Sequence, residues 1–165
     1  MKFSTKAIHI GQEPDLTTGA IVSPAYLTST FIQKHPGATK GYDYTRAGNP
    51  NFTNLEKTLA ALEKGKYATV FSSGSGALTA IAFTLFAGDT VIAIDDVYGG
   101  TYRLFEQVFK KFGIKFKQIS FKNLEEVERN FKLHPKVILL ESPTNPLLKI
   151  VDIEKISNLA KNIKC

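Results

Sequence analysis

The sequence predicts an α/β fold: an N-terminal extended arm followed by a parallel-rich sheet flanked by helices. Three observations carry this expectation. From residue 67 onward, short apolar or β-branched runs alternate with longer segments of helical periodicity. Gly88 and Gly113 stand just past two of those segments, where left-handed helix caps belong. The first fifty residues instead scatter glycine and proline, among them Gly11, Pro14, Gly19, Pro24, Gly41 and Pro50, with little helical periodicity. They read as an arm that packs on something larger.

In chain order, Thr53-Asn54-Leu55-Glu56 has capping-box spacing, Leu55, Leu59 and Leu62 share one face, and Gly65 follows as a stop. The run at 67–71 is the first expected strand, and a helix over 77–87 follows it. Strand 90–94, helix 101–112, strand 114–119, helix 123–133 and strand 137–140 come next. A last helix over 153–163 places Ile153, Ile156, Leu159 and Ile163 on one side. Strands and helices alternating at this spacing imply a parallel sheet covered on both faces. The expected division is an arm over 1–50 and an α/β domain over 51–165.

Composition narrows the function classes. With 165 residues, 43% hydrophobic and 22% charged, the chain has material for one globular core. The net charge of +6 comes from lysines spread along the sequence, which reads as a solvated surface rather than a nucleic-acid interface. Cys165 is the single cysteine, so no disulfide framework is expected, and His9, His35 and His134 lack ligand spacing, so no metal site is expected. No apolar stretch follows Met1 as a signal peptide would require, and none is long enough to span a bilayer. The expectation is a cytoplasmic protein with no membrane partner.

The loop Ser72-Ser73-Gly74-Ser75-Gly76 lies between the 67–71 run and an apolar segment starting at Ala77. Strand, glycine-rich turn, helix is the arrangement of an anion cup, in which unpaired N–H groups at a helix start face the guest. A phosphate is the expected guest. The helix end contributes only about 0.3–1 kcal/mol, up to about 2 kcal/mol when partly buried, so other residues must contribute to the grip. Two further strand-end loops qualify, Asp95-Asp96-Val97-Tyr98-Gly99-Gly100-Thr101 and Glu141-Ser142-Pro143-Thr144-Asn145-Pro146. Ligands of such sheets bind beyond the carboxyl ends of the strands. Tyr98 could lay its ring against a flat heterocycle, and Asn145, between two prolines, could offer a rigid amide. A dinucleotide fingerprint fails, because Thr79 stands where the third glycine is needed, and no Walker-type phosphate loop occurs.

The strings Gly41-Tyr42-Asp43-Tyr44-Thr45-Arg46-Ala47-Gly48-Asn49-Pro50, Phe71-Ser72-Ser73-Gly74, Asp95 to Thr101 and Glu141 to Pro146 occur in one order along the chain. Together they closely resemble the trans-sulfuration enzymes, the pyridoxal phosphate enzymes of cysteine and methionine metabolism. Cystathionine γ-synthase, γ-lyase and β-lyase belong to that group. The resemblance implies part of the large cofactor-binding domain of a fold-type I, aminotransferase-like enzyme, pyridoxal 5'-phosphate as cofactor, a small sulfur amino acid as substrate, and a homo-oligomer built as a dimer of dimers.

The resemblance also implies residue roles. Gly74 and Ser75 present backbone N–H groups to the cofactor phosphate. Tyr44 and Arg46 look like the pair that reaches the same phosphate from a neighbouring subunit, so the arm builds part of its partner's site. Tyr98 resembles the tyrosine that stacks on the pyridine ring and handles protons. Asn145 matches the asparagine near the ring hydroxyl and the substrate carboxylate, and Asp43 resembles an acid that meets the distal amine of cystathionine. Gly100 stands where methionine γ-lyases usually carry cysteine, which counts against that reading, and Asp43 favours a cystathionine γ-synthase or γ-lyase type, with β-lyase or a homoserine-ester sulfhydrylase as alternatives. In the family the lysine that holds the cofactor covalently lies beyond the position where this chain stops. The chain alone is therefore expected to be inactive, either as the N-terminal part of an enzyme or as a non-catalytic or split-gene fragment.

Overall fold

The computed structural model describes residues 1–163, and by contact density these form two compact units, Met1–Phe71 and Ser72 onward. The second unit carries the sheet. Strand β1 (Thr90–Ile94) lies between β2 (Lys115–Ile119) and β3 (Val137–Leu139), all parallel, with Val91 opposite both Phe116 and Val137. β1 is buried from Val91 to Ile94, as a central strand with both faces covered must be. β2 lies at an edge and exposes Lys115 and Lys117, charges that discourage pairing with a foreign strand.

The chain passes from β1 to β2 in one direction and from β2 across β1 to β3 in the other. Right-handed crossovers then place the connecting helices on opposite faces. On one face Val91 packs with Ala82, Phe105, Phe109 and Ile114, and the Phe105 ring stacks on Phe116 at 5.1 Å. On the other face Ile92 and Ile94 pack with Val127, Phe131 and Ile156.

Helix α3 spans Gly74–Ala82, and α4 spans Gly99–Arg103 and continues through a π turn (Leu104–Val108) and a 3₁₀ turn (Phe109–Phe112) to Gly113. Gly113 adopts φ 82°, the left-handed cap expected of it. Helix α5 (Leu124–Phe131) is capped by Asn123, whose side chain accepts from the N–H groups of Glu125 and Glu126. Helix α6 (Ile153–Asn162) is capped by Asp152, which accepts from the Lys155 N–H. Asp and Asn at these positions satisfy donors that a helix start otherwise leaves bare.

The first unit is held together differently. Among its described residues no large apolar side chain is buried; Leu16, Ile21, Val22, Leu27 and Ile32 are all well exposed. Its helices are α1 (Phe3–His9) and α2 (Pro50–Leu62). Their link runs through Gly11, which has φ 74° and lies so close to α2 that a Cβ would overlap the Asn54 carbonyl and crowd the Thr58 hydroxyl. The Thr58 hydroxyl donates to the Ile10 carbonyl at 2.6 Å. Gly11→Ala is expected to destabilise this unit by at least about 2 kcal/mol, combining left-handed strain of about 1–2 kcal/mol with overpacking of about 1–3 kcal/mol. A fall in the urea midpoint with unchanged slope checks it.

Several elements differ from the sequence expectation. Residues 67–71 form no strand, because a strand needs a ladder partner and none of the described residues pairs with them; the Val70 N–H instead donates to Glu56. Glu56 is therefore not the reciprocal partner of a capping box. α2 starts three residues earlier than that box, with Pro50 in its first turn and Asn49 accepting from the Asn51 N–H, an arrangement proline favours. The leucine stripe is not a buried face, since Leu55 and Leu59 are 49% and 38% exposed. α3 begins at Gly74, capped by Ser73, and stops at Ala82 rather than residue 87. The Thr84 hydroxyl and the Asp89 carboxylate divert the backbone there, taking the Ile81 carbonyl and the Phe86 N–H. The arm is not wholly extended either. α1 forms within it and closes onto α2, where Lys6 Nζ meets the Ala61 carbonyl at 3.3 Å.

Candidate functional site

Each unit carries one group of the residues singled out above. In the first, residues 28–31 pair with 42–45. Tyr44 bridges Thr30, the Phe31 N–H donates to the Asp43 carbonyl, and the Thr45 N–H donates to the Ser29 carbonyl. The Thr45 hydroxyl donates to the Thr28 carbonyl. This short ribbon is braced on the start of α2. The Asn51 amide takes both the N–H and the C=O of Tyr26 at 3.1 Å, and the Tyr42 hydroxyl donates to Thr53 at 3.0 Å. Asn49, 2% exposed, donates to the Thr45 hydroxyl and the Tyr26 carbonyl while its oxygen caps α2. Asp43, Tyr44 and Arg46 are exposed on the braced ribbon, and the Arg46 guanidinium lies 5.1 Å from the centre of the Tyr44 ring. That is cation–π range.

In the second unit Gly74 and Ser75 open α3. The Ser73 side chain accepts from the Gly76 N–H at 3.1 Å, and the Ser73 carbonyl accepts from the Ala77 N–H. Among the described residues nothing accepts from the N–H groups of Gly74 and Ser75, and the space beside the Gly74 Cα is open. Two adjacent free donors at a helix start, unobstructed, fit an anion with several oxygens such as a phosphate.

Tyr98 and Asn145 sit on the loops beyond β1 and β3, and the structure ties these loops together. The Tyr98 N–H donates to the Glu141 carboxylate at 2.9 Å. Asp96 Oδ2 accepts from the Thr144 hydroxyl and from the Leu147 N–H. Lys149 and Asp95 form an ion pair at 3.0 Å. Tyr98 is 49% exposed, with its ring over Gly100 so closely that a Cβ there would overlap it. Asn145 is exposed in a turn that has cis peptide bonds before Pro143 and Pro146. The helical segment bearing α4 starts at Gly99, directly after Tyr98, and packs against α3. A separate apolar groove of about 450 Å3, lined by residues such as Val137, Ile138, Ile153 and Ile156, runs along β3 and α6 and has no part in this loop cluster.

Sequence reasoning singled out the exposed residues and missed their supports: Asn49 and Asn51 under the ribbon, and Asp96, Thr144, Glu141 and Lys149 under the loops. A signal existed for Asp96, the second of two carboxylates that follow the apolar run Val91–Ile94, where an acid that becomes buried needs partners.

A family model described as Cys/Met metabolism PLP-dependent enzyme matches residues 4–165. The chain is 48% identical to a probable cystathionine gamma-synthase of Herpetosiphon aurantiacus, over 96% of its own length and 50% of the relative's. It is 44% identical to a cystathionine beta-lyase of Coxiella burnetii, over 95% of its length and 41% of that protein. The crystal structure of cystathionine gamma-lyase from Lactobacillus plantarum complexed with L-serine superposes with a TM-score of 0.89 at 44% identity, covering 99% of the chain and 42% of that structure. The chain thus spans half or less of the length of these relatives.

Proposed function

The chain belongs to the Cys/Met metabolism PLP-dependent enzyme family, and from that premise we propose that it supplies the phosphate grip and the ring-facing residues of a cytoplasmic enzyme that forms or cleaves a C–S bond of a sulfur amino acid. The observation that carries the reading is the pair of free N–H donors at Gly74 and Ser75 in the same unit as the joined Tyr98 and Asn145 loops. Bound there, the cofactor would withdraw electrons from the carbanion that develops on the substrate. The protein's own part is to bind and orient. Gly74 and Ser75 hold the phosphate, Tyr98 covers the ring and moves a proton at its hydroxyl, and Asn145 fixes the ring hydroxyl and the substrate carboxylate.

Tyr44 and Arg46 belong to the phosphate site of a neighbouring subunit in this reading, with Asp43 beside the distal amine of the substrate. The arm's support is its exposed apolar surface, which finds no cover within its own unit, and its braced display of Arg46. The reaction is of cystathionine γ-synthase or γ-lyase type. In this reading none of the 165 residues takes the part of the covalent cofactor lysine.

The test is to supply pyridoxal phosphate to the complete enzyme and to follow the visible absorbance of the bound cofactor. A retained band is expected, together with turnover that releases cysteine from cystathionine or builds cystathionine from cysteine. No band under saturating cofactor would refute the cofactor assignment. Homocysteine as the released thiol would move the reaction to β cleavage.

A further inference from the structure

Tyr98 and Asn145 are both exposed and both carried on loops, so something must hold them at one separation. Beneath them lie two polar residues that the reaction does not touch, Asp96 at 8% exposure and Thr144 at 1%. They come from loops beyond adjacent strands, β1 and β3, paired with Ala93 opposite Leu139. Thr144 is fully engaged. Its hydroxyl donates to Asp96 Oδ2 and accepts from the Lys149 N–H at 2.8 Å, its own N–H donates to the Lys149 carbonyl at 3.0 Å, and its carbonyl accepts from the Leu148 N–H at 3.1 Å. Asp96 Oδ2 also accepts from the Leu147 N–H at 3.0 Å. The turn that carries Asn145 is therefore closed on itself by Thr144 and fastened to the Tyr98 loop by one carboxylate oxygen.

We propose that Asp96 and Thr144 form a positioning pair that fixes the ring-facing Tyr98 and Asn145 relative to each other. The proposal rests on the cofactor reading above. Burying a carboxylate to accept from a hydroxyl and a peptide N–H costs solvation, and apolar packing could hold two loops near each other without that cost. What apolar contact lacks is direction. A hydrogen bond to a defined oxygen sets both the distance and the angle of the turn, which a two-sided ring site needs and a plain core does not. Glu141 on the Tyr98 N–H and Lys149 on Asp95 brace the same junction at its rim.

Because both bonds to Asp96 end on Oδ2, Asp96→Asn keeps an acceptor at that place and loses only the charge, whereas Asp96→Ala loses the acceptor. Thr144→Val removes the hydroxyl in a side chain of similar shape, and Thr144→Ser restores it. The measurement is the affinity of the complete apo-enzyme for pyridoxal phosphate and, separately, for inorganic phosphate. Thr144→Val and Asp96→Ala should weaken pyridoxal phosphate by about tenfold or more, the loss expected for a hydrogen bond to a charged group, and leave inorganic phosphate within about twofold because the α3 donors are untouched. Thr144→Ser should stay near wild type, and Asp96→Asn, which keeps the acceptor without the charge, should fall between wild type and Asp96→Ala. Should Asp96→Ala fail to fold, the Thr144 pair carries the test. Equal weakening of both ligands, or of neither, overturns the positioning role. A wild-type protein that binds inorganic phosphate as tightly as the cofactor overturns the cofactor reading itself, and the proposal with it.

Discussion

Arg46→Ala in the complete enzyme is expected to weaken cofactor retention by about tenfold to 150-fold, the equivalent of one charge-assisted hydrogen bond of about 1.5–3 kcal/mol. The loss is expected to act in trans. The guanidinium lies against the Tyr44 ring on a ribbon held by Asn49, Asn51 and Thr53, so little backbone freedom remains to be lost on binding. Arg46→Lys should recover only part of the affinity, because an ammonium keeps the charge but not the fork. Direction is read by complementation with Gly74→Pro, which removes one phosphate donor at a first-turn position that accepts proline; the residue before it, Ser73, is already extended. In hybrids of the two variants, an arm that reaches across restores one intact site per pair, carrying the loop of one subunit and the arm of the other. An arm that serves its own subunit restores none. Full retention in Arg46→Ala homo-oligomers would remove the arm from the site altogether.

How much of this was legible beforehand depends on where the information resides. The order of β1, β2 and β3 and their helices was readable, because β1 and β3 are local apolar runs, β2 alternates polar with apolar residues, and helices carry their own cap or stop, as at Asn123, Asp152 and Gly113. Residues 67–71 misled for the opposite reason. Their composition suits a strand, but strand formation depends on a partner, and Glu56 took the Val70 N–H instead. The leucines of α2 misled likewise: periodicity marks a face without saying what covers it. At the candidate site, the residues proposed to offer atoms to a ligand stood out through glycine, tyrosine and the Asn-Pro pair. Their supports did not, since Asp96 and Thr144 are 48 positions apart in sequence and meet only once β1 and β3 lie side by side.

Tyr98→Phe is expected to lower kcat by about 10²–10⁴-fold, the range for losing a positioned general acid or base, while cofactor affinity stays within a few-fold because the ring remains to stack. That outcome alone does not show why the ring is where it is. Gly100 addresses this, since a Cβ at that position would occupy the space of the Tyr98 ring. The ring is half exposed, so Gly100→Ala should displace the side chain rather than unfold α4, leaving the melting temperature near wild type while kcat and cofactor affinity both fall. The decisive comparison is a double-mutant cycle. With no ring to displace, Gly100→Ala should cost nothing further in a Tyr98→Ala background, so the two changes are strongly non-additive. Additive losses would mean that Gly100 matters through the backbone of α4, and an active Gly100→Ala enzyme would mean that the ring position over this glycine is not the one chemistry uses. Either result can be told apart from failure of the Asp96–Thr144 pair, which fixes the loop that carries Tyr98 and leaves the space above Gly100 unchanged.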